Sequence, residues 1–172
     1  MRTEISSIGK QAVLQRLFEN SGFTNGQPVR LKQKGECCTA QKLMLEGCDF
    51  DLVYTPLKHL GYKAVLNVLG ELYATLHQPA SLSVVLGLSK RFCFEDVADL
   101  WEGMLAACRE HGVSQLSLDL NPSVNGLAIA LAACGVQQEG GVDGDSTLAG
   151  MHKGVGDGDA RDGEQHHDNV VR

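Results

Sequence analysis

Aromatic residues and positive charge are both scarce in this chain. Only 5% of its 172 residues are aromatic, with one tryptophan, and 15 Lys and Arg stand against 21 Asp and Glu, for a net charge of −6. A chain that binds nucleic acid or an anionic membrane as its main partner carries a basic face, so neither partner is expected. No apolar run approaches the ~20 residues that span a bilayer. The opening MRTEISSIGK lacks the charged-then-apolar pattern of a signal peptide, and the expected location is the cytoplasm. The six cysteines, Cys37, Cys38, Cys48, Cys93, Cys108 and Cys134, include no CxxC pair and no His at zinc-finger spacing. Most lie in apolar stretches, which predicts buried, reduced thiols.

What is there suffices for one ordinary domain. Hydrophobic residues make up 43% of the chain, enough for a core. Charge is unevenly placed: from Glu139 onward eight acids face three bases, which holds −5 of the total −6. That stretch is rich in Gly and Asp with almost no large apolar residues. It cannot bury enough surface to offset its ordering entropy, and residues 138–172 are expected to form a disordered tail behind a domain at 1–137.

Within that domain the periodicity predicts a helix over 8–19, capped at Ser6 or Ser7, and a turn-rich break at 21–28. Residues 43–45 and 50–53 read as extended. Thr55 and Pro56 read as the N-cap and first residue of a long helix that Pro79 ends. Its apolar face runs through Leu60, Ala64, Val68 and Leu72. Residues 80–88 read as a strand whose poor alternation predicts burial on both faces. A second long helix covers 94–111 with Gly112 as its stop, and strands follow at 113–120 and 127–134. The expected fold is α/β or α+β: a mostly antiparallel sheet with long helices on one face.

Several strings are more specific than this pattern. LMLEGCDFDLVYTPLKHLGYKAV (43–65), SKRF (89–92) and HGVSQLSLDLNPSVNGLAIALAACG (111–135), with the opening MRTEISSIGK, resemble the N-terminal domain of thiamine-monophosphate kinases, in the superfamily of aminoimidazole-ribonucleotide synthetase. The resemblance spans about residues 1–135. It implies transfer of the γ-phosphoryl group of ATP to thiamine monophosphate, with Mg²⁺ held by carboxylates, and a dimer in which two N-terminal sheets join. Such chemistry rests on positioning phosphates and neutralising their charge, and Mg²⁺ takes oxygen ligands.

Against the resembled pattern, most of the acids are gone. The Gly-x-Gly-Asp-Asp-Ala loop corresponds to LKQKGECC (31–38), without Asp-Asp. Thr-Thr-Asp corresponds to Ala40, Gln41 and Lys42, so a lysine stands at a metal position. Val-His-Phe-Asp becomes Cys48, Asp49, Phe50 and Asp51, with Asp49 at the substrate-contacting His. Asn-Leu-Ser-Asp becomes Val68, Leu69, Gly70 and Glu71. Gly-Gly-Asp-Thr becomes Ser117, Leu118, Asp119 and Leu120. The C-terminal domain that completes the family's substrate cleft has no counterpart in these 172 residues.

The candidate nucleotide- and metal-binding residues are therefore Asp119 and Glu71, and the candidate substrate contact is Asp49. Each has a plainer reading: Asp119 as a turn cap at a strand end, Glu71 as a solvated helix residue, Asp49 and Asp51 as turn formers. Lys42 is either a point charge for a phosphate or a surface lysine, and His59 and Lys63 form a polar helix face. In the tail, Asp157 and Asp159 fail the EF-hand pattern, with Arg161 and Asp162 at its later positions; His166, His167 and Asp168 offer adventitious metal ligands. The expected function is a degenerate thiamine-monophosphate kinase-like domain, with Mg²⁺ and ATP as cofactors if the site is retained. An active kinase using Glu71 and Asp119, and a non-catalytic dimerisation module, are the alternatives. The expected partner is a second copy or an intact kinase, through the sheet.

Overall fold

A computed structural model describes residues 2–26 and 35–137. The tail at 138–172, the end of the break at 21–28 and the first half of LKQKGECC (31–38) lie outside the described residues. The elements run α1 (Ile5–Ile8), α2 (Lys10–Phe18), β1 (Cys37–Leu45), α3 (Leu57–Ala74), β2 (His77–Leu88), α4 (Phe94–Glu110), β3 (Gln115–Pro122) and β4 (Leu127–Gln137). The strands form one sheet in the order β1-β4-β2-β3. β4 pairs antiparallel with β1 and β2, while β2 and β3 are parallel. A parallel neighbour requires a crossover, and α4 supplies it.

The two long helices cover one sheet face. On α3, Leu60, Ala64, Val65, Val68, Leu69 and Leu72 are buried, and on α4 Val97, Leu100, Trp101, Met104, Leu105 and Cys108 are buried. These meet Leu82, Val84, Leu86 and Leu88 of β2, Leu116, Leu118 and Leu120 of β3, and Leu127, Ile129 and Leu131 of β4. The expected architecture of helices on one face of a mostly antiparallel sheet is the observed one. The N-terminal segment wraps the outer side of β3. Trp101 Nε1 donates to Leu17 O at 3.0 Å, and the Asn25 side chain bonds both backbone groups of Leu118, at 3.0 and 3.2 Å.

Several local expectations fail for identifiable reasons. Residues 50–53 do not form a strand: Phe50 makes only an isolated bridge, and Asp51 O accepts the N–H groups of Tyr54 and Thr55 in a turn. Thr55 is thereby spent, and Pro56 takes the N-cap of α3. Pro79 does not end α3, which stops at Ala74; it sits inside β2 beside the register shift between Pro79 and Ser81, where a missing N–H is tolerated. Ser7 does not cap the first helix; Gly9, at φ 85°, splits the segment in two. Strand β2 does alternate within the chain, with Leu82, Val84 and Leu86 buried and Val85 exposed. Only two of the six thiols, Cys93 and Cys108, are buried.

Candidate functional site

Parallel strands end together at their carboxyl ends, and ligand crevices of α/β sheets form there. At the end of β2 and β3 lies a cavity of about 590 Å³. Its floor is apolar, from Ile5, Leu88, Phe92 and Leu120, and its polar lining includes Glu4, Lys10, Ser89, Lys90 and Asn121. The Ser89 N–H donates to Gly126 O at 3.1 Å and the Phe92 N–H to Ser89 O at 3.1 Å, which sets the turn that carries Lys90.

Asp119 stands beside this cavity. Strand alternation places it on the sheet face opposite Leu118 and Leu120. Its Oδ1 lies 2.5 Å from Lys10 Nζ, and Oδ2 accepts from Asn121 Nδ2 at 3.2 Å. The hydrogen bond from Lys10 holds its carboxyl below the usual carboxylate range. Lys10 is the first residue of α2, so the short N-terminal helices deliver the cation that neutralises this acid.

The other candidates are elsewhere. Glu71 is exposed on α3, which packs on the sheet face that Leu118 and Leu120 share, so the sheet lies between Glu71 and Asp119. Asp49 accepts the Leu45 N–H at 2.7 Å and Asp51 accepts the Val53 N–H at 2.8 Å: both carboxylates close turns. Lys42 is exposed on β1, the edge strand, and His59 and Lys63 are exposed on α3. Among the described residues no three His, Cys, Asp or Glu side chains group to hold a metal ion. The tail acids and histidines lie outside the described residues.

Three structural acids went unread in the sequence. Glu46 of the LEG string is a latch: its carboxylate accepts the Leu127 N–H at 2.8 Å and pairs with Arg91. Glu95 accepts the Thr3 N–H at 2.9 Å and its hydroxyl at 2.8 Å, while Arg2 pairs with Asp96 at 2.6 Å. These contacts tie the N-terminal strand of chain to the start of α4. The capping-box spacing of Cys93 and Asp96 was the available signal for that helix start.

Residues 23–137 match the model of the AIR synthase related protein family, N-terminal domain. The chain belongs to this family. The AIR synthase related domain also resembles solved structures. A thiamine-monophosphate kinase from Stenotrophomonas maltophilia K279a matches with a TM-score of 0.58 at 18% identity, over 76% of this chain and 42% of that one. The E. coli hydrogenase maturation protein HypE gives 0.62 at 16% identity, over 76% and 43%. HypE in complex with ATP gives 0.58 at 18%, over 73% and 38%. This chain therefore spans about two fifths of the solved proteins that it matches, and identities this low bear on the fold alone. No curated protein sequence matches the chain. Among the described residues no helix is long and apolar enough to cross a membrane.

Proposed function

We propose that this AIR synthase related domain is a degenerate relative of thiamine-monophosphate kinases that binds adenine nucleotide without efficient phosphoryl transfer. The observation that carries the reading is the Lys10–Asp119 pair, at 2.5 Å. Of the candidate nucleotide- and metal-binding acids, Asp119 is the one that the kinase resemblance carries over unchanged, and here a lysine satisfies it. Mg²⁺ needs several oxygen ligands in octahedral geometry; a lone carboxylate already paired with an ammonium group does not fit it. The cavity beside it suits a nucleotide better. Its volume falls in the ~300–1,000 Å³ range of small-molecule sites, its floor is apolar enough for a base, and Lys10 and Lys90 carry charge for phosphates. ATP in the HypE complex makes this ligand class the natural first probe.

Calorimetry of the full chain with ATP, with and without Mg²⁺, tests the reading beside an assay for thiamine diphosphate. Expected are binding that needs no Mg²⁺ and negligible product. Steady Mg²⁺-dependent product, abolished by Asp119→Asn, would establish the active kinase instead.

The sheet supports a second reading, as a dimerisation module. Leu43 is 57% exposed, Leu45 40% and Val85 38%. By register Leu43 and Val85 flank Ala130 on the face away from α3 and α4. An apolar face of this kind on a lone domain invites a partner, and a second copy would cover it symmetrically. An intact kinase with the same sheet offers an equivalent surface.

A further inference from the structure

We propose that Cys37 and Cys134 form a dithiol modification site, which closes to an internal disulfide by exchange with a small-molecule disulfide such as glutathione disulfide. The β1–β4 register sets Cys37 opposite Val136 and Thr39 opposite Cys134. Residues two apart on a strand share a face, so Cys37 and Cys134 are diagonal cross-strand neighbours on the face away from the helices. They lie at the end of that face remote from Leu45. Cys38 points the other way, toward α3, where Thr75 Oγ1 donates to its sulfur at 3.6 Å. The sequence neighbour is therefore no competitor for Cys37.

Both thiols are free, Cys37 exposed and Cys134 half-buried. Burial, with smaller contributions from the neighbouring thiols Cys37 and Cys38, raises the Cys134 thiol above its usual range. Bridging needs Cα atoms within ~4.4–6.8 Å, whereas diagonal neighbours sit ~7–8 Å apart. Closure must therefore draw one strand end inward. Cys37 is the first residue of β1, and β1 is the edge of the sheet, so it is the end with least to disrupt.

The exchange balances in two steps. The exposed Cys37 thiolate attacks one sulfur of glutathione disulfide. A Cys37–glutathione bond forms, the original S–S bond breaks, and the departing glutathione thiolate takes up the proton that Cys37 lost. The Cys134 thiolate then attacks the Cys37 sulfur, forming the Cys37–Cys134 bond and releasing a second glutathione, which takes the proton from Cys134. Two protein thiols are oxidised and one glutathione disulfide is reduced to two glutathione molecules.

The full chain treated with glutathione disulfide, then alkylated, digested and mapped by mass spectrometry, decides the matter. The expected result is a cross-linked peptide pair joining Cys37 to Cys134, with glutathione found only on other accessible thiols such as the exposed Cys48. Cys37→Ser and Cys134→Ser, with circular dichroism confirming the fold, should each abolish the cross-link. Cys134→Ser should instead accumulate glutathione on Cys37. A stable glutathione adduct on Cys37 of the unaltered chain would overturn the proposal, as would a link between two copies in place of the internal one on a non-reducing gel.

Discussion

Gly61 of α3 and Gly103 of α4 each lie against the backbone of the facing helix. A Cβ added at Gly61 would collide with the carbonyl of Leu100, and one at Gly103 with the carbonyl of Lys58. The two helices cross so closely that neither position has room for a methyl group. Gly61→Ala or Gly103→Ala should therefore destabilise by about 3 kcal/mol, the upper part of the range for overpacking, because the obstacle is backbone rather than a flexible side chain. Gly70, also on α3, has nothing within 4 Å of its would-be Cβ. There Ala should stabilise by up to ~1 kcal/mol through helix propensity alone. Urea unfolding of the three variants checks the contrast.

Acid should loosen the N-terminal clamp. Glu95 has its carboxyl lowered from 4.5 to about 2, chiefly by the backbone N–H of Thr3. A depressed carboxyl contributes stability that is present above its unfolded value and is lost as pH falls through the folded one. The contribution is thus whole above pH 4.5 and fades toward about 2. Glu95→Gln should have a lower melting temperature than the unaltered chain at neutral pH and converge with it at the acid end. Parallel slopes for the two proteins between those limits would count against the clamp.

Asp49 and Glu71 should behave differently when truncated. Asp49→Ala removes the acceptor for the Leu45 N–H, a charge-assisted bond at a turn, and should cost ~1–2 kcal/mol, allowing for its exposure. Glu71→Ala, on the exposed side of α3, should stay within about 0.5 kcal/mol of zero. Neither change should alter ATP affinity under the proposed reading. Calorimetry on both variants tests that, and a large loss of affinity in Asp49→Ala would return it to the site.

The cavity reading makes a charge prediction. Lys10→Gln should weaken ATP binding about tenfold, because it removes one of two cations beside the phosphates. Asp119→Asn should strengthen it, because it frees Lys10 from its 2.5 Å partner. Opposite signs for the two variants are the diagnostic outcome.

If the exposed face pairs with a second copy, one charge placed on it should prevent association. Val85→Glu, on a strand centre that is 38% exposed, should convert a dimer to a monomer of 18.5 kDa in light scattering. A dimer that survives both Val85→Glu and Leu43→Glu must use another surface.

Sequence alone determined the two long helices, the three later strands and the family. In each, a periodic apolar face such as Leu60, Ala64, Val68 and Leu72 commits many side chains to one environment at once, and the string around Glu46 and Gly47 is rare enough to point to kin. It misread 50–53 and Pro79, because a short apolar run beside Asp51 is equally a strand or a turn. The choice there fell to backbone hydrogen bonds that periodicity does not encode. Only the tertiary structure decided the partners of the acids. Asp119 meets Lys10 from 109 residues away in sequence and Glu46 meets Leu127, whereas Asp119 and Glu71 end on opposite sides of the sheet. Charge pairing depends on separation in space, and a pattern read along the chain holds no information about which distant segments the core packing brings within a few ångströms.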